Sequence, residues 1–226
     1  MQLVTTHAPP PVQWPPDEST PPRRAAAVVG RVAPTRPVGR WAVDFRTGLL
    51  NRWGWDEQAD RAFRYARDRG KRLALLVLDL DEFTCINRVY GRAVGDATLW
   101  AASEALRAGT RQGDVLGRYG GSGGDELLAL LLDTTPTEAD RTARAVLDAL
   151  AASTINAGYP HGPRRSGLAL AGVTASAGLA TTDADHWKTL AGLLREADKA
   201  LRNAKLNGRG RLRLATQPAA GRELAS

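Results

Sequence analysis

Apolar residues recur along this chain at two spacings, and the switches between them mark out its elements. Between Asn51 and Arg69, the residues Trp55, Ala59, Ala62, Phe63 and Ala66 fall near one face at helical spacing, and Gly70 supplies a stop. Arg72–Leu78 is then an apolar run of strand length, the pattern of a central strand covered on both faces. Two short helices are predicted over Glu82–Val89 and Ala97–Ala108. Asp114–Tyr119 and Glu126–Leu132 read as strands joined by Gly120-Gly121-Ser122-Gly123-Gly124, a hairpin signal. A helix over Thr137–Ser153, a strand region over Leu168–Ala180, a helix over Thr189–Asn207 and a last strand over Arg211–Leu214 complete the series. Strands alternating with helices, with one internal hairpin, predict an α/β fold in which helices flank a mixed sheet.

The ends of the chain have a different character. Residues 1–40 hold nine of the thirteen prolines, and at that density backbone donors are missing and regular pairing is blocked. A disordered proline-rich leader is expected there, one that could serve as a docking segment for a protein partner, followed by one domain over 41–214 and a frayed tail over 215–226. The net charge of +7 raises the question of nucleic acid. Four of the 31 basic residues are lysines (Lys71, Lys188, Lys199 and Lys205), the rest being dispersed arginines without a basic run, so no nucleic-acid partner is expected. The single cysteine, Cys85, excludes a disulfide within one chain. The apolar run Leu127–Leu132 is six residues, far short of a membrane span, and no signal peptide is evident, so a cytoplasmic protein without membrane contact is the expectation.

Three clusters carry candidate chemistry. Asp79 and Asp81 end the central apolar strand; carboxylates there are costly unless a cation meets them, and Mg²⁺ with substrate phosphates is a common solution. Two residues apart, they share a direction if the strand continues, and otherwise one turns away. Gly123-Gly124-Asp125-Glu126 sits at the hairpin tip, where glycines permit close backbone approach and the carboxylates can join a metal shell. Lys205 and Arg209, four apart near the end of the last helix, can aim at one anion. Taken singly, each cluster has a plainer reading as a helix cap, a hairpin turn or a complement to a helix C-terminus.

In order, these clusters resemble the GGDEF domains, diguanylate cyclases that condense two GTP into cyclic di-GMP. The resemblance runs from Asp44-Phe45-Arg46-Thr47-Gly48-Leu49-Leu50-Asn51-Arg52 through Leu78-Asp79-Leu80-Asp81-Glu82-Phe83, Ile86-Asn87, Tyr90-Gly91 and Gly95-Asp96. It continues through Arg118-Tyr119-Gly120-Gly121, Gly123-Gly124-Asp125-Glu126-Leu127 and Ala175–Ala180, and ends with Ala197-Asp198-Lys199-Ala200-Leu201, Ala204-Lys205 and Gly208-Arg209. The family implies a five-stranded, polymerase-palm-like domain that binds GTP and works as a homodimer with Mg²⁺ or Mn²⁺. It implies that Asp79, the Leu80 carbonyl and Asp125 hold metal, and that Asn87 and Asp96 read the guanine edge. Gly123 and Gly124 would lie along the triphosphate, and Lys205 and Arg209 would hold phosphates. Asp125, supported by Glu126, would help deprotonate the attacking 3′-hydroxyl. Arg111 and Asp114 resemble the family's inhibitory site for its product, cyclic di-GMP.

The chain departs from the family chiefly in its signature loop, which carries three extra residues between Gly120-Gly121 and Asp125-Glu126. The apolar strand after Glu126 places the extra residues in the turn, because an odd insertion within a strand would exchange its faces. Thr84 stands where lysine is usual, Arg88 replaces an acidic residue, and Leu127 replaces the signature phenylalanine. The expectation is a diguanylate cyclase of weak or conditional activity. The alternative is a catalytically silent domain that binds cyclic di-GMP or GTP and signals to a partner.

Overall fold

The computed structural model describes residues 39–120, 124–157, 168–182 and 189–215. The readings of residues 1–38 as leader and 216–226 as tail, and the placement of Gly123, lie outside them. Helix α1, Arg52–Asp68, is capped by the Asn51 side chain, which accepts from the Gly54 amide. It leads to the central strand β1, Leu73–Leu80, and then to α2, Phe83–Tyr90, and α3, Arg92–Gly109. The second of these helices starts five residues before the sequence expectation, because Gly91 lets the chain turn directly from one helix into the next at φ 84°. The hairpin forms from β2, Val115–Arg118, and β3, Glu126–Leu132. Helix α4, Pro136–Ala152, opens with a capping box between Thr135 and Glu138.

The region predicted as one strand over Leu168–Ala180 is two. Strand β5, Leu168–Ala171, pairs with β4, Thr154–Ala157, in a small separate hairpin, whereas β6, Ala175–Thr181, enters the main sheet. Gly172 at φ 75° separates them. Helix α5, Leu190–Leu206, and β7, Leu212–Leu214, follow. The main sheet has five strands in the order β2-β3-β1-β6-β7, antiparallel except for the parallel β6–β7 pair, as expected for a mixed sheet.

The alternation of β1 divides the core. Ala74, Leu76, Leu78 and Leu80 pack with Leu99, Ala102 and Leu106 of α3 and with Ala139, Ala143, Val146 and Leu150 of α4. Leu73, Leu75 and Val77 pack with Trp55, Ala59 and Phe63 of α1 and with Leu193, Ala197 and Leu201 of α5. Asp79 continues the second series, so its side chain is delivered to the α5 side of the sheet.

Helix α5 can lie that close because Gly178 of β6 has no side chain. A Cβ at Gly178 would stand 2.0 Å from the Ala197 carbonyl oxygen and 2.4 Å from the Leu201 amide nitrogen, both backbone atoms. Gly178→Ala is therefore expected to cost roughly 3 kcal/mol of stability, the upper end for overpacking, read as a lower denaturation midpoint. An unchanged midpoint would contradict this packing.

Candidate functional site

Strands β1 and β3 pair so that Asp79 lies directly opposite Glu126. Directly opposed residues share a face, which puts both carboxylates toward α5. The Leu80 amide donates to the Asp125 carbonyl at 3.4 Å, so Asp125 sits beside the Leu80 backbone at the same end of the sheet. From α5, Lys205 Nζ reaches Asp79 Oδ1 at 2.7 Å. Asp198, seven residues before Lys205 and so on the same helical face, acts electrostatically on Glu126. The sequence reading gave Asp198 no role, although its spacing from Lys205 was a usable signal.

Crowding of carboxylates at a partly buried point shifts their titration. Burial, with Asp198 and Asp79 adding like charge, pushes Glu126 up from an ordinary value of 4.5 to about 7. Burial also raises Asp79, opposed by its hydrogen bond with Lys205 and reinforced by Asp125. Asp198 is raised by burial, with Arg202 working the other way.

The Asp81 side chain turns away from that cluster, although its charge adds to the rise of Asp79. The strand ends at Leu80, and the chain turns through Glu82 at φ 56°. The Asp81 carboxylate goes inward to accept from Thr174 Oγ1 at 2.8 Å, Ser176 Oγ at 2.7 Å and the Gly210 amide at 2.9 Å. Its work is to tie the loop after α5 to the end of β1. That loop carries Arg209, which is not helical: α5 ends at Leu206 and Arg209 has φ 55°. The i,i+4 pairing predicted for Lys205 and Arg209 is thus corrected. Arg209 instead lies 3.5 Å from Glu82, while Lys205 holds Asp79.

Asn87 of α2 packs against Gly95 of α3, the residue before Asp96. A Cβ at Gly95 would stand 2.0 Å from Asn87 Oδ1, so the glycine makes room for that amide next to Asp96. Asp96 Oδ1 accepts from Arg46 Nη1 at 2.6 Å. The signature loop is anchored by Arg118, whose Nε donates to the Gly124 carbonyl at 2.7 Å and whose Nη1 donates to Asp44 at 3.1 Å. Pairing stays regular up to Arg118–Leu127 and the Tyr119 amide's bond to Glu126 at 2.9 Å. The extra residues are therefore absorbed between Tyr119 and Glu126, and the faces of β3 are kept.

Arg111 and Asp114 are far from this cluster in the fold, at the α3–β2 junction. Asp114 accepts from the Leu132 amide at 2.9 Å and from the Arg111 amide at 2.8 Å, and burial raises it. The half-exposed Arg111 guanidinium lies 3.6 Å from Glu138, at a small cleft that also involves Thr110, Thr134 and Thr142.

Among the described residues, no group of three or more His, Cys, Asp and Glu side chains forms a ready-made metal cage. Asp125 acts electrostatically on Asp79 and sits beside the Leu80 backbone, and Mg²⁺ commonly takes one or two carboxylates and completes its shell with substrate phosphates. The ammonium of Lys205 on Asp79 occupies the position of a counter-cation.

The sequence and fold are shared with known proteins. The family signature described as diguanylate cyclase, GGDEF domain, matches residues 41–211. Diguanylate cyclase TpbB of Pseudomonas aeruginosa is 33% identical over 173 residues, covering 76% of this chain and 37% of that protein. The probable diguanylate cyclase DgcC of Escherichia coli is 36% identical over 100 residues, 44% of this chain and 26% of that protein. The chain thus spans roughly a quarter to a third of the length of these relatives. The solved GGDEF domain of TpbB superposes with a TM-score of 0.67 at 31% identity, covering 77% of this chain and 95% of that one. The GGDEF domain of DgcB from Caulobacter crescentus, solved with c-di-GMP, shares the fold at 23% identity with a TM-score of 0.68, covering 80% of this chain and 99% of that one.

The raised carboxyl groups make a statement about stability. Glu126, Asp79 and Asp198 bind protons more tightly folded than unfolded, so their contribution is fullest at low pH and is lost as pH rises. In chelator, the melting temperature is expected to fall as pH rises from 4.5 toward about 7, and Glu126→Gln should flatten the slope. A melting temperature that climbs through that window would refute the crowding of these groups.

Proposed function

This chain belongs to the GGDEF domain family, and on that premise we propose that it is a diguanylate cyclase, condensing two GTP into cyclic di-GMP with release of pyrophosphate. The observation that carries the proposal is the Asp79–Glu126 register with Asp125 alongside and Lys205 reaching in from α5. Asn87 and Asp96 take the guanine base, the carboxylate accepting from its N1 and N2 donors. Lys205 moves from Asp79 to the phosphates, and Arg209, half-exposed beside Glu82, serves the same anion. The resemblance gives Gly123 and Gly124 to the triphosphate, glycine permitting close backbone approach. A divalent cation, Mg²⁺ or Mn²⁺, bound by Asp79, the Leu80 carbonyl and Asp125, supplies neutralisation of phosphate charge.

The reaction needs one proton removed and one group displaced. The 3′-hydroxyl of one GTP loses its proton toward Asp125, with Glu126 behind it, and the oxygen attacks the α-phosphorus of the second GTP as pyrophosphate leaves. Each domain brings one nucleotide, so two copies must face each other, and the step occurs twice per product. A partner protein acting through the proline-rich leader is a natural means of controlling that encounter.

The half-exposed Arg111 next to Asp114 carries a second reading, in which the domain is catalytically silent and the pair binds cyclic di-GMP. Incubation of the full chain with GTP and Mg²⁺ or Mn²⁺ separates the two. The cyclase reading expects cyclic di-GMP, with Asp125→Ala reducing the rate by at least on the order of 10²-fold. No turnover, together with cyclic di-GMP binding that disappears in Arg111→Ala, would establish the receptor instead.

A further inference from the structure

We propose that Arg46 is a specificity-determining residue for guanine, donating to the base oxygen O6 while Asp96 accepts from N1 and N2. This rests on the reading that Asn87 and Asp96 receive a guanine. Arg46 is placed by a turn that is built rather than loose. Asp44 accepts from the Thr47 amide at 3.0 Å and the Thr47 hydroxyl at 2.8 Å, and Gly48 donates to the Asp44 carbonyl at 2.7 Å. Arg118 grips Asp44 from β2, and Arg107 of α3 donates to the Thr47 carbonyl. A turn clamped from two sides delivers Arg46 Nη1 to Asp96 Oδ1 at 2.6 Å, with the Phe45 ring centroid 5.4 Å from the guanidinium carbon.

The pair is too exposed to matter for folding. Its side chains are 36% and 44% accessible, and ion pairs so exposed contribute little to stability. What it does present is a pattern of adjacent groups. A carboxylate oxygen that accepts lies beside guanidinium N–H groups that donate, and an arginine has five such donors, of which one holds Asp96. The guanine edge carries the complement, N2–H and N1–H donors followed by the O6 acceptor. With Asp96 on N1 and N2, the remaining donors of Arg46 stand next to the adjoining position on the same base edge, O6. An arginine donating to guanine O6 is also a favoured pairing on geometric grounds in nucleic-acid recognition.

The test compares binding of 3′-deoxy-GTP, which lacks the attacking hydroxyl, with the 3′-deoxy triphosphate of 2-aminopurine riboside, which lacks O6 and with it the N1 proton, so that the effect of changing Arg46 is read on each nucleotide separately. Both are titrated by calorimetry into the full chain, as wild type, Arg46→Leu and Arg46→Lys. Arg46→Leu is expected to weaken 3′-deoxy-GTP binding about tenfold or more, the effect of one charged hydrogen bond. It should leave the 2-aminopurine nucleotide nearly unaffected, and Arg46→Lys should recover part of the loss. Unchanged or tighter 3′-deoxy-GTP binding by Arg46→Leu would overturn the assignment, as would an equal loss for both nucleotides. If the wild type binds neither nucleotide, the guanine reading of the pocket itself fails and takes this assignment with it.

Discussion

The molecule is organised around a debt of charge at the end of a buried strand. β1 is covered on both faces by helices, so Asp79 emerges from a core in which every preceding residue of the strand is buried. The antiparallel register sets Glu126 opposite it, and α5 approaches near enough for Asp198 to add a third carboxyl group to the same side. One lysine reaches this group, at Asp79. Negative charge gathered in a partly buried place has two outlets, protonation or a cation. The raised Glu126 is the first outlet, and a phosphate-bound metal would be the second.

The remaining features of the site hold its ends in place. Asp81 fastens the Gly210 loop to the β1 terminus through three hydrogen bonds, which keeps Arg209 on the same side of the molecule as Glu82. Arg118 links the opening turn at Asp44 to the Gly124 carbonyl, so the arm of the longer loop that leads into Asp125 is tied down. Regular pairing at Tyr119–Glu126 means that the added loop length enters outside the strands. Extra loop length of this kind costs little in closure entropy, a few tenths of a kcal/mol, roughly, so the fold tolerates it.

Much of this was legible in the sequence because it follows from short-range pattern. The two-sided burial of β1 and the hairpin leading into Glu126–Leu132 each rest on residue types at fixed offsets. What the pattern did not disclose depends on long-range geometry. The fate of Asp81 was decided by Thr174, Ser176 and Gly210, all distant in sequence. The place of Arg209 depended on α5 stopping at Leu206. The link between Arg46 and Asp96 crosses fifty residues and leaves no periodic trace. The strand β4 was missed because four residues following a helix give too short a run to register an alternation.

The central claim is that Asp79 and Asp125 share a cation once nucleotide is present, with Lys205 released to the phosphates. Electron paramagnetic resonance of Mn²⁺, titrated into the full chain with and without 3′-deoxy-GTP, tests this directly. An ordered Mn²⁺ signal is expected in the presence of the nucleotide, lost in Asp79→Ala and in Asp125→Ala alike. A signal that persists unchanged in either variant would show that the two carboxylates do not meet at one ion.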